Sequence, residues 1–266
     1  MNIDFKKRHN LNILGNGEKK ILFIHGFASS QEAWKWLVPA FEQDYTLVLV
    51  DLVGSGKSDK KAYHKERYQN LMGYVDDLID VCDYLNMKDA IIIGHSVGGM
   101  IGLLLANKRP DLVQQVQMLG ASPHYLNELP HYVGGFEREN VDQILEMMEL
   151  NYAGWASYLA PIALPETENK NQTSYIEASF LASDPKVTYN FLKLTLLGDY
   201  RQLLKGVETE TVILQCSEDS FVPIEAAEYM AKEIKNSHLH VLTAKGHYPH
   251  VSHSEETSAA IKRYLE

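Results

Sequence analysis

The strongest chemical signal in the chain is Gly94-His95-Ser96-Val97-Gly98. A serine with glycines two positions away on either side suits a sharp strand-to-helix turn, where the hydroxyl stands clear of a crowded backbone. The flanks agree with such a turn. Residues 90–93 are a continuous aliphatic run, and residues 97–107 are apolar nearly all round. A helix starting behind Ser96 aims free N–H groups and a positive dipole end at the site. A serine hydroxyl is a weak nucleophile at neutral pH, so it needs a base, and the base needs an acid to orient it.

The elements that must position these groups follow one rhythm. Short β-branched or aliphatic runs at 21–24, 46–50, 90–93, 113–119, 211–215 and 239–243 alternate with helical patterns. The runs show little polar alternation, as expected for strands covered on both faces of a parallel sheet. Leu71, Val75, Leu78, Ile79 and Cys82 recur at helical spacing, with Asp76, Asp77, Asp80 and Asp83 offset toward water. The buried helix ends at Lys108-Arg109-Pro110, basic charge followed by a breaker. Asn16-Gly17 predicts an initial hairpin. The fold class is α/β, a mostly parallel doubly wound sheet. Residues 124–198 break the rhythm. They carry no core strand, are rich in aromatics, and show apolar stripes at Val141, Ile144, Leu145, Met148 and at Val187, Phe191, Leu194. Asp184 and Pro185 read as the N-cap and first residue of the second of these helices. This segment is expected to be a helical lid inserted into a single domain spanning 1–266.

On such a sheet the reacting groups lie past the carboxyl ends of the strands, in the chain order serine, acid, histidine. The run at 211–215 leads into Cys216-Ser217-Glu218-Asp219, and the run at 239–243 leads into Ala244-Lys245-Gly246-His247. The expected triad is Ser96, Asp219 and His247. Glu218 rivals Asp219, and His250 and His253 rival His247. An oxyanion hole needs two backbone amides. Val97 follows the nucleophile and supplies one; Phe27, after His25-Gly26, supplies the other. The candidate pocket residues are Phe27, Tyr125, Phe136, Trp155 and Phe191.

Other features bound the function. There are 25 basic and 35 acidic residues, a net charge of −10, and no concentrated basic face, which excludes a nucleic-acid partner. Gly54-Ser55-Gly56-Lys57-Ser58 looks like the end of a phosphate loop, but the motif's first glycine would fall on Asp51, so it reads as a tight loop. His247, His250 and His253 recur every three residues, yet Pro249 interrupts any helix there and no carboxylate completes a zinc set. His238 and His240 share a strand face and read as a solvated edge. No metal and no cofactor are expected. Cys82 and Cys216 lie far apart and read as buried thiols in a reducing compartment. The first residues, Met1-Asn2-Ile3-Asp4-Phe5-Lys6-Lys7, lack an apolar signal core, and the longest apolar run is broken at Gly94-His95-Ser96. The expectation is a cytoplasmic protein with no membrane span.

Several longer stretches carry a family resemblance: residues 51–59 around Gly54-Ser55-Gly56, Gly94-His95-Ser96-Val97-Gly98-Gly99, Ser122-Pro123-His124-Tyr125-Leu126-Asn127, Gly134-Gly135-Phe136-Glu137, Asn151-Tyr152-Ala153-Gly154-Trp155-Ala156 and Gly246-His247-Tyr248-Pro249-His250. Through them nearly the whole chain resembles the RsbQ-like α/β-hydrolases. These are bacterial regulators of the sigma-B energy-stress branch, similar in turn to plant karrikin and strigolactone receptors. The resemblance implies the α/β-hydrolase fold with a four-helix lid over an apolar pocket, the same triad, and a second oxyanion amide at Phe27. It further implies a slow signalling hydrolase that takes a small hydrophobic ester or lactone and regulates a PAS-domain serine/threonine phosphatase. Halide displacement is disfavoured, since that branch of the fold has aspartate where Ser96 stands. Departures from the family lie in the lid and around residues 161–171. Two other readings remain open: a metabolic carboxylesterase without a partner, and a ligand-binding receptor with little turnover.

Overall fold

A computed structural model describes residues 4–165 and 170–265. Part of the departure at residues 161–171, and the reading of the first three residues, lie outside the described residues. The sheet has seven strands: β1 (Asn12–Leu14), β2 (Lys20–Ile24), β3 (Thr46–Val50), β4 (Ala90–His95), β5 (Val113–Leu119), β6 (Glu210–Glu218) and β7 (Ser237–Lys245). Their order in space is β1-β3-β2-β4-β5-β6-β7, and every neighbouring pair is parallel except β1 with β3. The helices are α1 (Phe5–Arg8), α2 (Met72–Tyr84), α3 (Val97–Lys108), α4 (Arg138–Leu150), α5 (Tyr152–Ala163), α6 (Lys170–Ala182), α7 (Pro185–Leu197), α8 (Ile224–Glu233), α9 (Pro249–Ser252) and α10 (Ser254–Lys262).

The strands lack polar alternation because both faces of the sheet are covered. Leu22, Ile24, Val48, Val50 and Ile92 pack into one core with α2 and α3. Their immediate neighbours Ile21, Phe23, Leu47, Leu49, Ile91 and Ile93 enter a second core with Trp34, Phe41 and Ile261 of α10. Each such fully buried aliphatic side chain contributes about 1.5–3 kcal/mol, which fixes the strand register firmly. Helix α3 is buried along nearly its whole length. It runs against β4 and β5 and therefore starts at a defined point over the sheet.

The structure corrects three expectations about these elements. The initial hairpin does not form: β1 pairs with β3, because both edges of β2 are already taken by the parallel partners β3 and β4. Residues 15–19 instead cross the start of β3, where Thr46 donates its amide to Lys19 and its hydroxyl to the Gly17 carbonyl, at 3.0 and 2.6 Å. Side chains at Gly15 and Gly17 would strike the backbone of Glu42 to Tyr45, which is the use this stretch makes of its glycines. Asp77 does not face water. Its carboxylate is buried and accepts hydrogen bonds from Arg8, Arg67 and the Tyr68 hydroxyl, so two arginines and a tyrosine make an otherwise costly burial acceptable. In α7 the buried face is Thr188, Phe191, Leu192, Thr195 and Leu196. Val187 and Leu194 are only half-buried, Val187 lying against the loop at Gly54.

Helices α4 to α7 occupy the segment between β5 and β6, and Asp184 caps α7 by accepting the amides of Lys186 and Val187. The interior of this segment (Val141, Leu145, Trp155, Leu159, Phe180, Leu192) forms its own apolar cluster. The loop at 54–58 is tied to Asp51, whose carboxylate accepts the amides of Gln31 and Lys57, each at 2.8 Å, and the Asn10 side-chain amide at 2.9 Å. Cys82 and Cys216 are both buried and unbonded, and burial raises both thiol pKa values, Cys82 to about 12. His238 and His240 lie beside Tyr264 on edge strand β7. No helix among the described residues is long and apolar enough to cross a membrane.

Candidate active site

Ser96 sits between β4 and α3 at φ +53°, a left-handed conformation that side chains other than glycine rarely adopt. The strain is held in place by close packing on both sides. A side chain at Gly94 would lie 2.5 Å from the Gly98 carbonyl oxygen, and one at Gly98 would collide with the carbonyls of Ile24 and His25. The Ser96 amide donates to the Leu119 carbonyl at 2.8 Å, tying the turn to β5.

The three groups expected from remote parts of the chain converge here. His247 Nε2 lies 2.9 Å from Ser96 Oγ. On the other side of the ring, Nδ1 lies 2.9 and 3.0 Å from the two carboxylate oxygens of Asp219. A carboxylate only accepts, so Nδ1 keeps its proton and donates it to Asp219 in a hydrogen bond, leaving Nε2 bare to receive the proton of Ser96. Asp219 has no solvent-exposed side-chain surface, and the amides of Phe221 and Val222 donate to its Oδ1 at 2.9 and 3.1 Å. His247 is held through its backbone as well. Its amide donates to the carbonyl of Ala163 at the end of α5, and its carbonyl accepts from His95 Nε2, both at 2.8 Å.

The rivals lie elsewhere. Glu218 is exposed and pairs with Lys245 at 3.0 Å. His250 is buried beside Trp34 and His95, and burial lowers its pKa to about 3. His253 contacts Ser252 Oγ at 2.9 Å. The three histidines spaced by three thus turn to three different neighbours.

The candidate oxyanion donors are brought together by strand register. Ile24 of β2 pairs with Gly94 of β4. Phe27 lies three residues beyond that pair and lines the pocket beside Ser96, while Val97, three beyond Gly94, opens α3 directly after Ser96. Neither amide donates a hydrogen bond to any acceptor among the described residues.

Above Ser96 lies a cavity of about 60 Å³. Phe27, Tyr125 and Phe136 line it. Trp155 and Phe191 do not. They are buried one layer back, where both pack on the ring of Phe27, at 6.0 and 6.1 Å between ring centres, and support the wall without forming it. The wall itself comes from residues the sequence reading missed, among them Leu159, Phe180, Leu192, Leu196, Phe221 and Tyr248. Two of these carry a positional signal: Phe221 follows Asp219 by two residues, and Tyr248 adjoins His247. Tyr125 does more than line the wall, since its hydroxyl lies 3.4 Å from Ser96 Oγ. Burial raises the pKa of Tyr125, which keeps its proton in place.

Comparison with known proteins identifies the family. Residues 19–254 match the family model for the alpha/beta hydrolase fold. The karrikin insensitive 2 receptor CA of Petunia hybrida is 33% identical over 261 residues, spanning 98% of this chain and 96% of the receptor. A strigolactone esterase of Pisum sativum is 32% identical over 244 residues, spanning 91% of each chain. The solved structure of a hydrolase from Oleispira antarctica superposes with a TM-score of 0.96 at 35% identity, covering 98% of this chain and 96% of that one. The chain belongs to the α/β-hydrolase fold family and is homologous to a karrikin insensitive 2 receptor and a strigolactone esterase of plants.

Proposed function

We propose that the protein is a serine hydrolase for a small apolar ester or lactone. The observation that carries this reading is the continuous chain Asp219–His247–Ser96, with links of 2.9 Å, ending beneath a cavity walled by apolar side chains. Ser96 Oγ attacks the substrate carbonyl carbon while its proton passes to His247 Nε2. Asp219 stabilises the imidazolium so formed. The Phe27 and Val97 amides receive the negative oxygen. Collapse of the intermediate breaks the bond to the leaving oxygen, which takes the proton from His247. A water molecule then repeats the sequence on the acyl-serine and releases the acid. Most of the wall is hydrocarbon or aromatic ring, and Thr195, on α7, already donates its hydroxyl to the Phe191 carbonyl at 2.8 Å. An unpaired polar group buried there costs about 1–3 kcal/mol, which selects hydrocarbon.

The signalling role is part of the same proposal. Relatives named as receptors support a slow hydrolase in which ligand turnover is coupled to a partner, taken to be a PAS-domain serine/threonine phosphatase in the cytoplasm. Mass spectrometry of the intact protein after exposure to a panel of lactones and short esters tests the chemistry. An acyl adduct on Ser96, absent in Ser96→Ala, is the expected result; turnover retained in Ser96→Ala refutes it. Fast turnover of a common ester, with no phosphatase recovered in a pull-down, would instead make this a metabolic carboxylesterase.

A further inference from the structure

The Phe27 amide can serve the oxyanion only if its peptide unit faces the right way, and the residue before it is Gly26. Glycine is required there because a side chain would strike the His95 ring, whose Nε2 holds the His247 carbonyl. The same absence of a side chain leaves the Gly26–Phe27 peptide free to turn over. Something must hold it. His25 is buried, and its Nδ1 lies 2.8 Å from the Gly26 carbonyl oxygen. On the far side of the ring, the Leu52 amide donates to Nε2 at 3.0 Å. That amide fixes the tautomer: Nε2 must be bare, so Nδ1 carries the proton and donates it to Gly26. A trans peptide is rigid and planar, with its N–H opposed to its C=O. Gripping the Gly26 carbonyl therefore aims the Phe27 N–H the other way.

We propose that His25 is a positioning residue for catalysis, clamping the Gly26–Phe27 peptide so that the Phe27 amide faces the oxyanion. The assignment rests on the serine-hydrolase reading above. His25 touches no reacting atom and acts only through the peptide it holds. Burial lowers its pKa, in keeping with a neutral ring that accepts on one side and donates on the other.

The test compares an aryl ester with its thionoester in the full-length protein. Sulfur is a poorer hydrogen-bond acceptor than oxygen, so the ester gains more from a well-aimed oxyanion amide. His25→Leu should lower kcat/KM on the ester by about 10²-fold and on the thionoester much less, with KM little changed. His25→Asn keeps a donor at the Nδ1 position and should restore most of the ester-to-thionoester ratio. Equal losses on the two substrates in folded His25→Leu would overturn the assignment, while an inactive Ser96→Ala leaves the serine reading standing. Turnover retained in Ser96→Ala would remove the reading and the assignment together. Should His25→Leu fail to fold, nitrogen NMR of the wild-type protein decides. His25 protonated on Nδ1 and bare on Nε2 at neutral pH supports the clamp; the opposite tautomer overturns it.

Discussion

Asp219→Asn separates the role of the carboxylate from its shape. Two orientations are open to the new side chain. In one, its oxygen stays at the position of Oδ1 and keeps the amides of Phe221 and Val222, at 2.9 and 3.1 Å. Its NH₂ then faces His247 Nδ1. In the flipped orientation both loop amides meet an NH₂ and lose their acceptor, at about 1–3 kcal/mol each. The unflipped orientation loses less, since only the long 3.4 Å contact with Gln215 Nε2 turns unfavourable. The consequence falls on the histidine. Nδ1 then has the NH₂ at 2.9 Å and, at 3.0 Å, the retained oxygen that already accepts both loop amides. A bare Nδ1 suits the nearer NH₂, so the proton moves to Nε2, which can then only donate to Ser96 and cannot take its proton. The expected loss is about 10⁴-fold in kcat, equivalent to about 5.4 kcal/mol of barrier. Steady-state hydrolysis of p-nitrophenyl acetate measures it, with Ser96→Ala as background and circular dichroism as the check on folding. A loss below tenfold in a folded variant would refute the tautomer argument.

Three further outcomes follow from the packing. His250 is protonated only near pH 3 when folded, against 6.5 for its ordinary value. Unfolding therefore takes up a proton at any pH between these. The stability it contributes is complete above about pH 6.5 and falls by about 1.4 kcal/mol per unit below it. Urea unfolding at pH 7 and pH 5 should show His250→Phe losing about 2 kcal/mol less than wild type over that interval; parallel losses would sink the argument. Asp77→Ala strands Arg8, Arg67 and Tyr68 and should cost about 3 kcal/mol, the low end for a buried pair because Arg67 is 38% exposed and rehydrates. Denaturation giving under 1 kcal/mol would show that the cluster is not stabilising. Leu192→Ala deepens the cavity at a cost of about 2–5 kcal/mol, and assays with esters of increasing acyl length should show the preferred chain lengthening; an unchanged preference would mean that α7 does not limit the acyl group.

The sequence carried the sheet, the elbow and the triad because each leaves a local trace. An aliphatic run reports a strand buried on both faces, and the glycines around Ser96 report a turn in which nothing larger fits. Strand ends and chain order point to Asp219 and His247. What stayed hidden depends on partners distant in sequence. Asp77 is helix-surface by periodicity, and only the approach of Arg8 and Arg67 from elsewhere brings it inside. The first strand pairs with β3 because of competition for the edges of β2, a fact about the whole sheet. The pocket wall was the least legible part. Aromatic composition in the insertion named Trp155 and Phe191, yet whether a large ring faces a cavity or backs another ring is settled by helix rotation, as the buried face of α7 shows.

The crowding around Ser96 has a consequence for how such a protein diversifies. The junction admits almost no substitution at Gly94 or Gly98, so the reacting apparatus is close to immutable. Ile144, Leu159, Phe180, Leu192 and Leu196 belong instead to four helices whose principal contacts are with each other. Exchanging one hydrocarbon for another among them reshapes what is admitted without disturbing the relay beneath. New ligands are thus acquired in the upper storey, while the chemistry below is inherited unchanged.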